Sequence, residues 1–372
     1  MRVCILQHVF DPYKGANHLP LYAAIKECQF TIVCNQSKIA DSDLPSNVKV
    51  ITVSGRIGPY YYGCRDYLFA KLLLKQYPIS NPFWNEFDII HCNQIMGPSL
   101  KKLSKLKAPL ILTIHHPVTA DREVAVQESG LIEAFVWRLK YLLLVRWQRA
   151  MCHACDQIIT VSNTVRDRLI ADYSCDSSKI TIVPNGVDGD VFTLGSDAAQ
   201  YDVVAMGSFI HPRKGFSYLL EAYQSLSDSG LHIADIGRRS DAQRNALKKI
   251  SGVTTFGTIS GEELINILQR SSALISVSLY EGFGLSLIEA LSCGKPAFAF
   301  EGGAVKEVLG PIDPNLVVSQ RDTNELILRA REFLALSEEE RRKRGNGYRN
   351  AVLERYSLMK SAKALSEFYA RY

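Results

Sequence analysis

Two carboxylates and two glycines stand close together in the segment LISVSLYEGFGLSLIEALSCGKP, residues 274–296. An apolar strand is predicted first, then a turn with Gly282 and Gly284, then a helix from about Leu285 to Ser292. A helix that begins on glycines presents free backbone N–H groups and the positive end of its dipole, which suits a diphosphate. The pattern predicts an anion site that Gly284 and Leu285 face.

The carboxylates of this segment are Glu281, before the turn, and Glu289, about two helical turns further on. Carboxylates only accept hydrogen bonds, so beside a diphosphate we expect hydroxyl partners, one on a sugar and one on a ribose. The alternative is that both are simply solvated. The apolar neighbours of Glu289 within 287–291 disfavour this, because an unpaired charge there would be costly.

A basic element occurs in MGSFIHPRKGF, residues 206–216, where a strand is predicted to end at Gly207. Arg213 and Lys214 then precede the predicted helix SYLLEAYQSL. Arginine can grip phosphate oxygens with two hydrogen bonds and lysine acts as a point charge, so both could stabilise a departing nucleoside diphosphate. A basic cap before a helix is the alternative interpretation.

Short apolar runs separated by helical stretches must position these groups. The first half contains RVCILQ, FTIVCN, VKVITV, DIIHC, LILTI and QIITVS, and the second contains DVVAMG, LHIADIG, VTTFG, ALISVS, PAFAF and LVVS. This pattern predicts an α/β protein with two parallel sheets covered by helices. Parallel sheets bind ligands at the carboxyl ends of their strands, so we expect two domains that face each other across a cleft.

The domain boundaries follow from the polar, glycine-bearing stretch between the two halves. The charged last part, from about Glu338, is helical in period, with a break predicted near Gly345. We expect a first domain over 1–186, a linker over 187–200, a second domain over 201–350, and a C-terminal helix over 351–372 that could cross back to the first domain.

Several motifs together resemble the retaining glycosyltransferases of GT-B fold known as family 4. EGFGLSLIEA is similar to the E-x7-E donor motif of this family and PRKG to its phosphate-binding loop. Further similarities are DQIITVSNTV, VPNGVD, FGTISGEEL and EGGAVKEV, in the same order as in the family. The resemblance implies two Rossmann-like domains, the first on the acceptor side and the second binding a nucleotide-sugar donor.

The resemblance also implies roles for single residues. Glu281 would contact the donor sugar, Glu289 the ribose and Lys214 the diphosphate. Where many members have an arginine after the strand glycine, this chain has Ser208, and Arg213 is expected to supply that charge. The full set of donor residues implied is Gly15, Ser208, Arg213, Lys214, Thr258, Ile259, Glu281, Gly282, Phe283, Gly284, Leu285 and Glu289.

The resemblance places a histidine near the reacting sugar, and His115 in LILTIHHPVTADR is the candidate. Its implied role is a hydrogen bond to a sugar hydroxyl, because transfer with retention needs no base opposite the leaving group. The catalytic set is then His115, Arg213, Lys214 and Glu281. The histidine could also be merely a satisfied strand-end residue.

The acceptor is expected on the first domain, where aromatic residues could stack on a sugar face or simply pack. The candidates are Arg56, Tyr60, Tyr61 and Asp121.

No metal site is predicted. Asp188-Gly189-Asp190 mimics a cation motif but lies within the VPNGVD match, and Cys152 and Cys155 have no second cysteine pair, so we interpret them as packing residues.

The partners expected are a UDP- or GDP-sugar and an acceptor, with no obligatory cofactor. The net charge of +5 is too small to indicate nucleic-acid binding. The first residues do not resemble a secretory signal, so we expect a cytoplasmic protein.

Two other enzymes on this scaffold are alternatives, a sugar-nucleotide epimerase and a phosphorylase. Each would need a base that the sequence does not show. A binding protein without turnover would be expected to lack Lys214 or Glu281.

Contact with the inner surface of a membrane is a further possibility for two segments. KKLSKLK, residues 101–107, has four lysines, and residues 134–155 contain cations and tryptophans but no acid. At 100° per residue, however, Leu142 falls within the sector of Arg138, Arg146 and Arg149. The helix is therefore not predicted to be cleanly amphipathic.

Overall fold

The structure, a computed structural model, describes residues 1–11, 19–55, 57, 62–94, 97–195, 199–259 and 261–372, and only the backbone of residues 62 and 63. The chain divides into two compact units. Unit 1 contains Met1–Arg122, Phe135–Pro184 and Met359–Tyr372, and unit 2 contains Glu123–Ala134 and Asn185–Leu358.

The core of unit 1 is a parallel sheet, in which the described residues form seven strands in the order β5-β3-β1-β6-β7-β8-β9. A short parallel pair, β2 and β4, lies outside it. The strands are β1 Arg2–Leu6, β2 Val9–Phe10, β3 Gln29–Cys34, β4 Gln36–Ser37, β5 Val48–Thr52, β6 Ile89–Asn93, β7 Leu110–Ile114, β8 Gln157–Thr160 and β9 Ile180–Ile182. The central strands β6 and β7 are buried along their whole length, as expected of a parallel sheet covered on both faces.

Helices connect these strands, as parallel strands require a crossover. The helices of the first half of the chain are α1 Leu19–Ala24, α2 Tyr62–Gln76, α3 Val118–Gln127, α4 Leu131–Ala154 and α5 Asn163–Tyr173. Asp121 therefore lies inside the first turn of α3.

Unit 2 repeats this architecture with a parallel sheet whose six described strands have the order β12-β11-β10-β13-β14-β15. The strands are β10 Tyr201–Met206, β11 Ile233–Ile236, β12 Val253–Gly257, β13 Ser271–Ser276, β14 Ala297–Phe300 and β15 Val317–Val318. The helices from here to the end of the chain are α6 Phe216–Asp228, α7 Asp241–Leu247, α8 Gly261–Gln269, α9 Leu285–Ser292, α10 Val305–Leu309, α11 Thr323–Leu334, α12 Glu338–Tyr356 and α13 Leu358–Tyr369.

The fold class predicted from the apolar runs is confirmed. Each of the twelve runs contains a strand, and α9 has the bounds predicted for the helix after Gly284. Three strands lie outside the predicted runs: β2, β4 and β9, each of two or three residues and too short to give a periodic signal.

The break predicted near Gly345 is wrong, because α12 continues through this residue to Tyr356. A Cβ atom on Gly345 would lie 2.4 Å from the carbonyl oxygen of Gly294, which follows α9. The glycine therefore permits close packing of α12 against the end of α9, and the chain turns only at Ser357. The segment boundary predicted at residue 351 falls inside α12.

Candidate functional site

The order of strands in unit 2 reverses between β10 and β13. From β10 the chain builds outward through β11 and β12, and the later strands β13, β14 and β15 lie on the other side. Ligands of open parallel sheets bind outside the carboxyl ends of the strands at such a switch point. The loop after β10 carries Arg213 and Lys214, and the loop after β13 carries Glu281.

These three side chains form a mostly buried ionic cluster at the switch point. The Lys214 Nζ donates a hydrogen bond to Glu281 Oε1, and the Arg213 Nη1 lies 3.6 Å from Glu281 Oε2. The side chains of Glu281, Arg213 and Lys214 are only 15%, 17% and 18% exposed. Burial alone would raise the pKa of Glu281, but Lys214 and Arg213 outweigh it and lower that pKa to about 2. The carboxylate is therefore held ionised.

The backbone of the PRKG segment brings the two cations to this position. Residues Pro212–Lys214 form one turn of 3₁₀ helix that ends on Gly215, whose φ is +68°. A Cβ atom on Gly215 would lie 2.3 Å from the Val277 carbonyl oxygen, so only glycine allows the two loops to approach this closely. The Leu279 N–H donates to the Arg213 carbonyl oxygen at 2.8 Å, which joins the loops directly.

The turn between Glu281 and α9 ends on Gly284 with φ +91°. A side chain there would clash with Leu287, since a Cβ atom would lie 2.7 Å from Leu287 Cδ1. The helix starts at Leu285, and the N–H groups of a first helical turn have no intrahelical acceptor. The Phe283 side chain is buried, with its ring centre 5.3 Å from that of Tyr356. Any contact of Phe283 with a bound ligand would therefore use its backbone.

Glu289, the second carboxylate of the motif, lies in a different environment. It is half-buried on α9 between the buried residues Ile288 and Ala290, and burial raises its pKa to about 7. Among the residues that the structure describes, no side chain pairs with its carboxylate. The group is thus positioned to gain from hydroxyl donors of a ligand.

The remaining donor candidates of unit 2 lie at the same edge of the sheet. Ser208 is exposed directly after β10. Thr258 is exposed and Ile259 half-buried directly after β12, which β11 separates from β10. They therefore lie at strand ends along the same edge of the sheet as the ionic cluster, rather than within it. Gly15 lies outside the described residues.

A residue that the sequence analysis missed, Arg239, stabilises the backbone before Ser208. Its buried guanidinium donates from Nη1 to the Gly207 carbonyl oxygen at 2.6 Å and from Nη2 to Asp235 Oδ1. It also lies 4.3 Å from the centre of the Phe209 ring. Burial raises the pKa of Asp235, and Arg239 opposes that rise. An acid within the apolar run LHIADIG was the sequence signal for such a partner.

Unit 1 places His115 in a polar cluster at the carboxyl ends of adjacent strands. The backbone N–H of His115 donates to Gln94 Oε1 at 2.8 Å, and the ring Nε2 of His115 lies 3.0 Å from Asn93 Oδ1. Asn93 Nδ2 in turn donates to Gln7 Oε1 at 3.3 Å. Gln7, Asn93 and Gln94 were not among the predicted site residues, although each lies at or just after the end of a predicted buried strand.

Asp121, the described acceptor candidate, is buried and in contact with a histidine side chain. Its Oδ2 lies 3.1 Å from His116 Nε2, and His116 Nδ1 lies 3.5 Å from Gln94 Nε2. His116 and Gln94 thus connect Asp121 to the His115 cluster. The other acceptor candidates, Arg56, Tyr60 and Tyr61, lie outside the described residues.

Comparison with known proteins identifies the class. A sucrose-phosphate synthase from Thermosynechococcus elongatus has a TM-score of 0.79 and 19% identity, covering 100% of this chain and 98% of that one. HepE from Anabaena in complex with UDP-glucose has a TM-score of 0.74 and 14% identity, covering 100% of both chains. These similarities place the two parallel-sheet units in the GT-B fold.

Two family models match consecutive parts of the chain: Glycosyltransferase Family 4 at residues 17–191, and Glycosyl transferases group 1 at residues 191–350. The chain belongs to the family 4 glycosyltransferases. An MMP α-(1→4)-mannosyltransferase from Mycolicibacterium hassiacum is 31% identical over 72% of this chain and 66% of its own length. The chain spans between about half and two thirds of the length of the curated relatives it matches.

Proposed function

We propose that this protein transfers a glycosyl unit from a nucleoside diphosphate sugar to an acceptor hydroxyl, with retention of anomeric configuration and without a metal ion. The observation that carries the proposal is the Glu281 carboxylate, held ionised by Lys214 and Arg213 at the switch point of unit 2. Two cations on a helix-flanking loop serve the diphosphate, and an ionised acceptor beside them serves sugar hydroxyls.

The proposed chemistry assigns the cations to the leaving group. The bond between the anomeric carbon and the diphosphate oxygen breaks, and its electron pair stays on the diphosphate, which Lys214 and Arg213 stabilise. The acceptor oxygen bonds to the anomeric carbon from the same face, and its proton passes to the departing diphosphate oxygen. This sequence needs no protein base, in keeping with the ionised but cation-paired state of Glu281.

The remaining donor groups hold the rest of the nucleotide. Glu289 accepts from the ribose hydroxyls, and the backbone at Thr258 and Ile259 contacts the base. The names of two matched proteins support the donor class: one is a mannosyltransferase, and the other was solved with UDP-glucose. UDP and GDP are both retained as donor nucleotides.

A thermal-shift panel of UDP, GDP and their sugars tests this proposal, because a ligand that binds the folded state raises Tm by mass action. We expect one nucleotide series to raise Tm equally in magnesium and in EDTA, and a sugar from that series to appear on an added acceptor. A shift with no turnover would favour a binding protein. Conversion of the donor without acceptor would favour an epimerase, and sugar release onto phosphate would favour a phosphorylase.

The assignments in unit 1 complete the proposal. His115 donates to a sugar hydroxyl, and Asp121 with Arg56, Tyr60 and Tyr61 binds the acceptor. A cytoplasmic location and contact with the inner membrane surface through 101–107 and 134–155 also remain predictions.

A further inference from the structure

Helix α4 exposes a large apolar surface. Of the thirteen large hydrophobic residues that are exposed in the described chain, seven lie within residues 131–143 of this one helix. Their exposed fractions run from 40% for Val136 to 94% for Leu131. Scattered exposed apolar residues are ordinary, but a contiguous group marks an interaction surface. We call this group the α4 apolar face: Leu131, Ile132, Phe135, Val136, Leu139, Leu142 and Leu143.

The α4 apolar face lies opposite the side of the helix that packs in the protein. Tyr141 and Leu144 are buried in a cluster with Val118, and Trp137 and Trp147 pack against that cluster. At 100° per residue the apolar face covers an arc of roughly 140°, centred about 180° from the buried side. The core contacts of α4 are therefore complete without the exposed face.

Cations border the apolar face. Exposed Arg138 and Lys140 flank its two edges, and exposed Arg146 and Arg149 follow its last residue. Glu133 is the one acid of the helix. Leu142 shares a sector with Arg146 and Arg149, which lie further along the axis, Arg146 by about 6 Å, and with Arg138 at the edge of the face. The helix as a whole is therefore not cleanly amphipathic, and the apolar face is confined to residues 131–143.

We propose that the α4 apolar face docks on an anionic lipid surface, with the helix lying in the plane of the interface. Apolar side chains enter the acyl boundary while the bordering arginines and lysine meet lipid phosphates. None of the helices in the described ranges has the length and apolar character needed to span a bilayer. This proposal is independent of the proposed function: glycosyl transfer can be confirmed even if lipid binding is not found.

Charge distinguishes a lipid surface from a second copy of the chain. A two-fold contact would place the same face of both copies together, and with it the four cations that border each face. Like charges brought close in an apolar contact oppose association. Anionic headgroups instead neutralise these cations, so the charge pattern favours lipid.

Vesicle co-sedimentation of the full chain tests the proposal. The probe is phosphatidylcholine vesicles with and without phosphatidylglycerol, and the variant is Leu139→Glu. Leu328→Glu on α11 is the matched control, because Leu328 is 53% exposed and Leu139 is 55% exposed. We expect binding only to the anionic vesicles, at least tenfold weaker in Leu139→Glu and unchanged in Leu328→Glu. Added salt should weaken the binding further.

Three results would overturn the proposal. The first is wild-type protein that stays in the supernatant with anionic vesicles. The second is equal binding by Leu139→Glu and Leu328→Glu, both with unchanged thermal unfolding. The third is a wild-type dimer in light scattering that Leu139→Glu converts to monomer, which would assign the face to a second copy.

Discussion

The loop before Gly284 and the helix after it hold their carboxylates in opposite ways. In the loop, Lys214 and Arg213 lower the pKa of Glu281 to about 2, and its backbone N–H donates to the Gly302 carbonyl oxygen at 3.2 Å. On helix α9, burial raises the pKa of Glu289 to about 7. Two identical groups in one motif therefore differ in charge state near neutral pH.

The difference separates a site that is organised before the donor arrives from one that the donor completes. Glu281 is already ionised and oriented by cations that also suit a diphosphate. Glu289 has no compensating side chain among the described residues, so a ribose would supply the missing hydrogen bonds.

The largest effect is expected from Lys214→Ala, which removes the main cation of the Glu281 side. Loss of one preorganised charge stabiliser lowers kcat by about 10²- to 10³-fold, while circular dichroism should show the fold intact. Lys306→Ala is the matched control, since Lys306 pairs with Glu301 at 3.1 Å in unit 2 but is 69% exposed. Equal rates for Lys214→Ala and Lys306→Ala in steady-state kinetics would remove Lys214 from the site.

A smaller effect is expected on the Glu289 side, as a dependence of donor affinity on pH. Hydroxyl donors favour the ionised carboxylate. At a pH below about 7, the pKa of Glu289, donor binding must therefore remove a proton from this group. Affinity should therefore fall as pH decreases below 7, by up to about tenfold per pH unit. Calorimetry of wild type and Glu289→Gln separates this from ionisation of the diphosphate. Parallel pH profiles would contradict the ribose assignment.

The smallest effect is expected from restoring an arginine at position 208. Ser208 is exposed after β10, whereas Arg213 also donates to the Tyr280 carbonyl oxygen at 3.0 Å. In an Arg213→Ala background, Ser208→Arg should tighten donor binding a few-fold, the range of one partly exposed charge interaction. Ser208→Met in the same background controls for bulk. If both double variants bind alike, position 208 does not reach the diphosphate.

The sequence predicted the elements of this contrast because local rules specify them. The apolar runs gave the strands, and glycine followed by LSLIEA gave the start of α9. It did not predict that Lys214 pairs with Glu281, since the two loops meet only when β10 and β13 become neighbours in the sheet. Long-range strand order is not written in any short segment.

Burial explains the other failures. Arg239 was not predicted, because two adjacent arginines, Arg238 and Arg239, are typical of an exposed surface. Only the burial of Asp235 shows that Arg239 is needed as its partner. A helix break was predicted near Gly345 because glycine disfavours helix. The glycine is needed there because the backbone of Gly294, distant in the sequence, lies close to it. The exposed apolar face of α4 was not predicted, because the arginines share its angular sector and the sequence does not show which side of the helix packs in the core.

Calorimetry with Glu281→Gln distinguishes the two proposed contacts, that of Glu281 with the donor sugar and that of Lys214 with the diphosphate. The titrants are a nucleoside diphosphate and its sugar, from the series that stabilises the wild type. We expect Glu281→Gln to remove most of the extra affinity that the sugar confers, and Lys214→Ala to weaken the binding of both ligands. If Glu281→Gln keeps the full gain in affinity from the sugar, Glu281 does not contact the donor sugar.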